Sequence, residues 1–351
     1  MAKMRIKNHR QKSVSNYPQS FLKSFAGVFF LLQTITSTAV SADNTTIADS
    51  LLLTDESISL WQLPSEALSS QPVWERSDIV SNLAPISSQQ QLLIGSSSGL
   101  FALDRNDGSI RWKFRGDDLI YTPVIQSSAL HSHDIAYAAS RDGKLRALNT
   151  EDGALLWQKN LSGWIYSPAL IDGTLVTGGS ASKLWGINRD NGTILWQRDL
   201  PGELVTAPIT LGSDRVITTT FSGHLLVLNA RDGEIIWQHK LTSAATHITT
   251  NGKSIYSSGY DGVVHAIDAH KGTKVWQSDR GGDRNQQLQI TGSALLVIND
   301  LGWQRLDLNT GSLIARRNID GEPIGSTQFV ANEYWIFYRQ NGSPKPIRLN
   351  L

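Results

Sequence analysis

The chain has 351 residues, 40% hydrophobic and 18% charged, enough apolar material for a large core, which argues against a disordered or fibrous protein. Cysteine is absent, so disulfides, thiolate metal sites, thiol nucleophiles and lipid-modified cysteines are excluded throughout the sequence. The 29 glycines and 11 tryptophans beside only 2 methionines suit a turn-rich β protein better than a helical bundle, and the formal net charge is +1.

The amino-terminal stretch carries Lys3, Arg5, Lys7, Arg10, Lys12 and Lys23 and no acid, then the apolar run 25–32 and the small residues 37–42. That order reads as a secretory signal peptide over residues 1–42, cleaved after Val40-Ser41-Ala42. Its apolar run falls far short of the roughly 20 residues that span a bilayer, so the mature chain, 43–351, is expected to carry no transmembrane span. Without these cations, 26 Lys and Arg face 31 Asp and Glu, a formal charge near −5. A mildly acidic exported chain with no basic stripe has no electrostatic footprint for nucleic acid.

Next comes a repeat. Upstream, Thr46-Ile-Ala-Asp-Ser-Leu-Leu-Leu-Thr54 with Trp61 and Trp74 aligns with Ala169-Leu-Ile-Asp-Gly-Thr-Leu-Val-Thr177, Trp185 and Trp196. The pattern Gly-x-Leu-x-Ala-Leu-Asn/Asp-x-x-x-Gly-x-x-x-Trp then recurs. Its copies are Gly99…Asp104…Gly108…Trp112, Gly143…Asn149…Gly153…Trp157, Lys183…Asn188…Gly192…Trp196, Gly223…Asn229…Gly233…Trp237 and Gly262…Asp268…Gly272…Trp276. A worn copy, Leu306-Asp307…Gly311, has Ala315 where tryptophan is expected. Tryptophans 74, 112, 157, 196, 237 and 276 are spaced by 38, 45, 39, 41 and 39 residues, the period of an array.

Each period fits four short strands rich in branched residues and bounded by turn residues. In the fourth unit they fall at 168–171, 174–177, 183–188 and 193–197, with a hairpin at Asp172-Gly173 and a C/D turn ending on Gly192, where a positive φ is expected. Four-stranded units of this length are propeller blades, whose radial closure hides sheet edges. The units 44–76, 81–113, 120–158, 165–197, 204–238, 245–277, 285–316 and 325–351 predict an all-β fold, an eight-bladed β-propeller of four-stranded antiparallel blades. Seven blades is the alternative, because the last unit shows only three strands.

The motif Ala-Leu-Asn/Asp-x-x-x-Gly-x-x-x-Trp resembles the tryptophan-docked repeat of the quinoprotein (PQQ-like) propellers, over essentially the whole mature chain. The resemblance implies that Trp74, Trp112, Trp157, Trp196, Trp237 and Trp276 pack between adjacent blades. Quinoprotein dehydrogenases use a vicinal cysteine pair, a Ca²⁺ ion and an aspartate base in the central funnel, and this chain has no cysteine. Its length, blade count and leader instead resemble the BamB family of outer-membrane assembly factors, as does the worn strand Ser312-Leu-Ile-Ala-Arg-Arg317. That resemblance implies a non-enzymatic periplasmic scaffold without cofactor, peripheral to the outer membrane. Its partners would be the barrel-assembly machinery, through a BamA-like subunit, and unfolded outer-membrane proteins. The family carries a lipobox cysteine that this sequence lacks, so a partner alone is expected to hold the chain at the membrane. The family's partner contact lies in the loops leading into strand A of two middle blades, here Gly163-Trp-Ile-Tyr-Ser-Pro168 and Gly202-Glu-Leu-Val-Thr-Ala-Pro208. Trp164, Ile165, Tyr166, Glu203, Leu204 and Val205 are the expected partner-binding residues, although the arginine and paired aspartates of the family pattern are missing. A quinone- or Ca²⁺-binding enzyme, and a subunit of another envelope complex, are the competing functions.

Other features have plainer readings. His131-Ser-His133-Asp134 could ligate a metal, but it sits in an A/B connection where a solvated hairpin tip is the simpler account. The Asp104 and Asn188 turns lack the spacing and closing glutamate of a Ca²⁺ loop. Gly281-Gly-Asp-Arg-Asn285 reads as a polar inter-blade loop. Among tryptophans outside the repeat register, namely Trp61, Trp164, Trp185, Trp303 and Trp335, the first and third fall at matching C-strand positions and are expected in the core. No nucleophile elbow, P-loop or paired catalytic carboxylate is present, so no catalytic or metal site is expected.

Overall fold

The computed structural model describes residues 38–39, 47–53, 58–63, 74–79, 81, 83, 85–88, 91–127, 134–279, 287–299, 301–319, 322–330, 333–340 and 343–349, with side chains between 74 and 319. Among them all regular structure is strand, arranged as eight antiparallel meanders, seven of four strands and a last one of three. These are the eight blades. Blade 4 shows the pattern, with strands A to D at Ala169–Ile171, Thr174–Gly178, Lys183–Asn188 and Ile194–Asp199. Blades 2 and 3 span 86–114 and 124–160, and blades 5 to 8 span 209–240, 245–279, 287–318 and 322–349. First strands of neighbouring blades lie together in pairs 2/3, 4/5 and 6/7, and strand B of blade 1 meets strand A of blade 8, closing the ring.

Blade 1 departs from the sequence alignment. Ile47–Leu53 is a single B strand paired with Ile58–Leu63, not an A/B hairpin, and strand A is Thr38–Ala39, on the leader side of the expected cleavage point. The hairpin at Asp172-Gly173 needs φ of +43° and +79°, left-handed values that cost little only for Gly, Asn or Asp. Blade 1 has Asp49-Ser50 instead. Serine does not favour that turn, and the segment stays extended.

The interblade packing follows from local chemistry at the C/D turn. Gly108, Gly153, Gly192, Gly233, Gly272 and Gly311 all have φ between +68° and +74°. Each lies under a tryptophan of the preceding blade: a Cβ on Gly233 would sit 2.4 Å from the Trp196 ring, and one on Gly311 2.5 Å from that of Trp276. Glycine is therefore required twice, for backbone and for space. The indole Nε1 of Trp74, Trp112, Trp157, Trp196, Trp237 and Trp276 donates to the carbonyl of Arg105, Thr150, Arg189, Ala230, Ala269 and Leu308 respectively. Every one of these acceptors lies on the next blade.

A bulge aims the indoles. In blades 2 to 7 the C–D ladder skips one residue just before the docking position: Arg111, Leu156, Leu195, Ile236, Val275 and Ile314. Such an extra residue bends the strand and re-aims the side chain that follows. A second clasp lies two residues beyond the tryptophan, where Arg76, Arg198, His239 and Ser278 donate to the carbonyls of Gly108, Gly233, Gly272 and Gly311. Between these polar grips the blades share apolar layers, such as Ile217, Leu225 and Val227 of blade 5 against Ile255 and Ile267 of blade 6. Trp185 and Trp303, on C strands, are buried.

One buried group makes this core sensitive to acid. His247, on strand A of blade 6, has no partner for Nε2, and burial pushes its pKa down to about 4. The folded value lies below the unfolded one, so the neutral ring's contribution is complete above about pH 6.5 and is lost as pH falls towards 4, by up to about 3 kcal/mol. Urea unfolding is expected to show a loss of about 2 kcal/mol from pH 7.5 to 5.0 attributable to this group. His247→Gln should remove that part of the slope; an unchanged slope would mean that His247 is not the responsible residue.

Candidate partner-binding site

The loops leading into strand A are built alike in blades 3, 4 and 5. Ile120, Ile165 and Leu204 each form one bridge with the end of strand B in their own blade, to Ser140, Gly179 and Thr220. Each also donates its N–H backwards to the preceding blade, to the carbonyls of Ser96, Ser140 and Gly179. The following residue, Tyr121, Tyr166 or Val205, donates to the carbonyl of Ala139, Gly178 or Thr219. The loop is thus stitched between two blades, and small residues permit the closeness: a Cβ on Gly179 would lie 1.8 Å from the Trp164 carbonyl oxygen.

This stitching sets which side chains face outward and corrects the sequence expectation. Ile165, Tyr166, Leu204 and Val205 are buried, because the residues that bridge strand B turn their side chains inward. They shape the site without offering it a surface. Trp164 is half-buried and Glu203 exposed, and the corresponding position in blade 3 is Leu119. Beside these three, the carbonyls of Leu119, Trp164 and Glu203 accept the N–H groups of Arg141, Ser180 and Phe221 on the B/C turns.

Trp164 anchors an aromatic and charged cluster. The Arg141 guanidinium lies 5.0 Å from the Trp164 ring centre, within cation–π range. Trp164 packs on Tyr166 with ring centres 5.8 Å apart, and Tyr166 on Tyr121 at 5.5 Å. Burial raises the Tyr166 hydroxyl well above its ordinary value and that of Tyr121 to about 12, so both stay neutral donors at physiological pH. Tyr121, Tyr260, Arg141 and Glu203 are the titratable groups acting on Tyr166. Sequence reading found Trp164, Tyr166 and Glu203 but missed Arg141, which comes from a B/C turn more than twenty residues upstream of Trp164 in a different blade.

Arg141 is followed by a charged network that no motif announced. Arg146 and Asp142 form a nearly buried ion pair at 2.5 Å. Arg146 also donates to Gln158 and lies 5.7 Å from the Phe114 ring of blade 2. Burial works to raise the Asp142 carboxyl, but hydrogen bonds from Arg146 and the Lys144 backbone outweigh it and hold it below the usual range. Lys144 extends the network to Asp117, on the connection after blade 2. His131, His133 and Gly281–Asn285 lie outside the described residues. Among the described residues no three His, Asp or Glu side chains converge as metal ligands.

Residues 122–206 and 182–344 match the family described as Outer membrane protein assembly factor BamB. The chain belongs to the BamB family. The BamB of Shewanella oneidensis is 24% identical over 266 residues, covering 70% of this chain and 65% of that protein, so the match spans about two thirds of that relative. The solved BamB from Moraxella catarrhalis superposes with a TM-score of 0.65 at 20% identity, covering 87% of this chain and 95% of that one. At that identity it attests the BamB fold alone. A quinohemoprotein alcohol dehydrogenase of Pseudomonas putida is 28% identical over 150 residues, 39% of this chain and 20% of that enzyme.

Proposed function

We propose that this chain is a non-enzymatic scaffold of outer-membrane protein assembly, exported to the periplasm by its leader, 1–42, with the mature propeller over 43–351, in which blade 1 keeps strands B to D and gives up Thr38–Ala39. It would dock on a BamA-like subunit, with unfolded outer-membrane proteins as further clients. The observation that carries the reading is the outward set Arg141, Trp164 and Glu203, held by backbone stitching on three consecutive middle blades of a BamB-family propeller. A half-exposed indole capped by a guanidinium, on a rigid frame with a buried tyrosine floor, has the composition of an interface hot spot. The six docked tryptophans then serve the frame and not the contact.

The enzyme reading is weaker on the chemistry of the donors. The charged groups acting on Tyr166 are Glu203 and Arg141, and a guanidinium does not ligate Ca²⁺, which takes six to eight oxygen ligands. The vicinal cysteine pair that clasps a quinone in the dehydrogenases has no counterpart in a chain without cysteine. These residues do not fit a quinone–Ca²⁺ centre.

Affinity capture of the mature chain from detergent-solubilised envelopes tests the proposal. The barrel-assembly machinery should be recovered, and Trp164→Ala or Arg141→Glu should reduce recovery about tenfold or more. Trp164→Ala should cost only about 1 kcal/mol in stability, since the ring is half-buried and its loop is held by backbone bonds. Unchanged recovery with both variants would remove this face from the interface.

A further inference from the structure

We propose that the outer strand of blade 7, Leu313–Asn318, is a docking edge for an acidic, extended segment of a partner protein, which adds to the blade as a further strand. This goes beyond the assembly-scaffold reading and stands without it. Three observations lead there.

The strand is the last in its sheet, so one side of its backbone takes no part in the blade's own ladder. It also lacks the indole clasp that folds the outer strands of blades 1 to 6 onto the next blade, and the second clasp that blades 1, 4, 5 and 6 add to it. Ala315 stands where blades 1 to 6 have tryptophan. Arg317 occupies the position at which Arg76, Arg198, His239 and Ser278 hold a neighbouring carbonyl, and it is exposed.

The chemistry of the edge is amphipathic and cationic. Leu313 and Ile314 are 42% and 51% exposed, and Arg316 and Arg317 are exposed beside them. On other outer strands Arg111 pairs with Asp104, Lys113 lies on the Phe101 ring and Arg198 donates to the Gly233 carbonyl. Among the described residues neither Arg316 nor Arg317 forms an ion pair.

These features select the occupant. A second copy of the same edge would bring guanidinium against guanidinium, which disfavours self-pairing. Two arginines fall short of the roughly four to eight cations of a lipid-surface patch, and lipid supplies no ladder of N–H and C=O groups. A peptide strand supplies that ladder, its carboxylates meet the arginines, and its apolar residues cover Leu313 and Ile314.

Fluorescence anisotropy on the mature chain tests this with two labelled octapeptides, one alternating Val with Asp and Glu, the other alternating Val with Lys. The acidic peptide should bind. Arg316→Glu/Arg317→Glu should weaken it about tenfold or more and create binding of the basic peptide. N-methylation of alternate residues should abolish binding, which distinguishes strand addition from charge attraction. Both arginines are exposed, so the thermal transition should be retained; Arg316→Gln/Arg317→Gln is the milder variant should it not be. Equal binding of the two peptides, or an N-methylated peptide that binds unchanged, would overturn the proposal. So would phosphatidylglycerol vesicles captured through these arginines with no peptide bound.

Discussion

Trp196→Ala is expected to lower the free energy of unfolding by about 4 kcal/mol, the scale of a buried large-to-small change. The indole is buried, donates to Ala230 across the interface, and lies on Gly233. Its removal leaves a cavity and an unsatisfied carbonyl together. Gly233→Ala attacks the same joint from the other side. The new Cβ would stand 2.4 Å from the ring at a φ of +70°, and strain plus overpacking should cost about 2 to 4 kcal/mol. In the double variant the steric part disappears, because the ring it would strike is gone. The costs should therefore fall short of additivity by about 1 kcal/mol or more. Urea unfolding of the four proteins measures this. Additive losses would show that indole and glycine do not act as one joint.

Asp142→Ala should be nearly as damaging, at about 3 to 5 kcal/mol, although no apolar core is touched. The loss arises because Arg146, itself buried, would keep its charge with no carboxylate to answer it. Asp142→Leu/Arg146→Met should recover most of the stability, since a buried ion pair gains little over apolar groups of similar volume. Added salt should leave the difference unchanged, as the pair lies away from solvent ions. The exposed pair Lys183–Asp199 is the contrast, and its removal should barely register. If the Leu/Met pair is as unstable as Asp142→Ala, the network has a role that charge neutralisation does not replace.

The residues that revealed the fold in sequence are those whose chemistry admits few substitutes. A turn needing positive φ beneath a tryptophan accepts glycine and little else, so Gly108, Gly153 and their equivalents recur at a fixed distance from the next indole. The second clasp was illegible for the opposite reason. Arg76, Arg198, His239 and Ser278 share only a donor that reaches a carbonyl, and no pattern of residue types expresses that. In the candidate site, Trp164 and Glu203 stood out by type. Which neighbours turn inward depends on one backbone bridge per loop, and so Ile165, Tyr166, Leu204 and Val205 read as surface until the bridges were seen. Blade 1 misled because Asp49-Ser50 imitates Asp172-Gly173 in hydropathy while lacking the glycine that makes the turn.

The forward reach of the indoles has a consequence for synthesis and, under the proposed function, for export. Each ring is answered by a carbonyl that lies between 31 and 38 residues further along the chain. A polypeptide threaded amino end first through a secretion channel therefore carries, over most of the array, one indole whose acceptor has not yet emerged, and never two at once. Trp276 is the last to wait, and it is met at Leu308 and Gly311. Ala315 asks for nothing downstream, so the array ends its own queue there and the final blade can arrive without a debt to discharge.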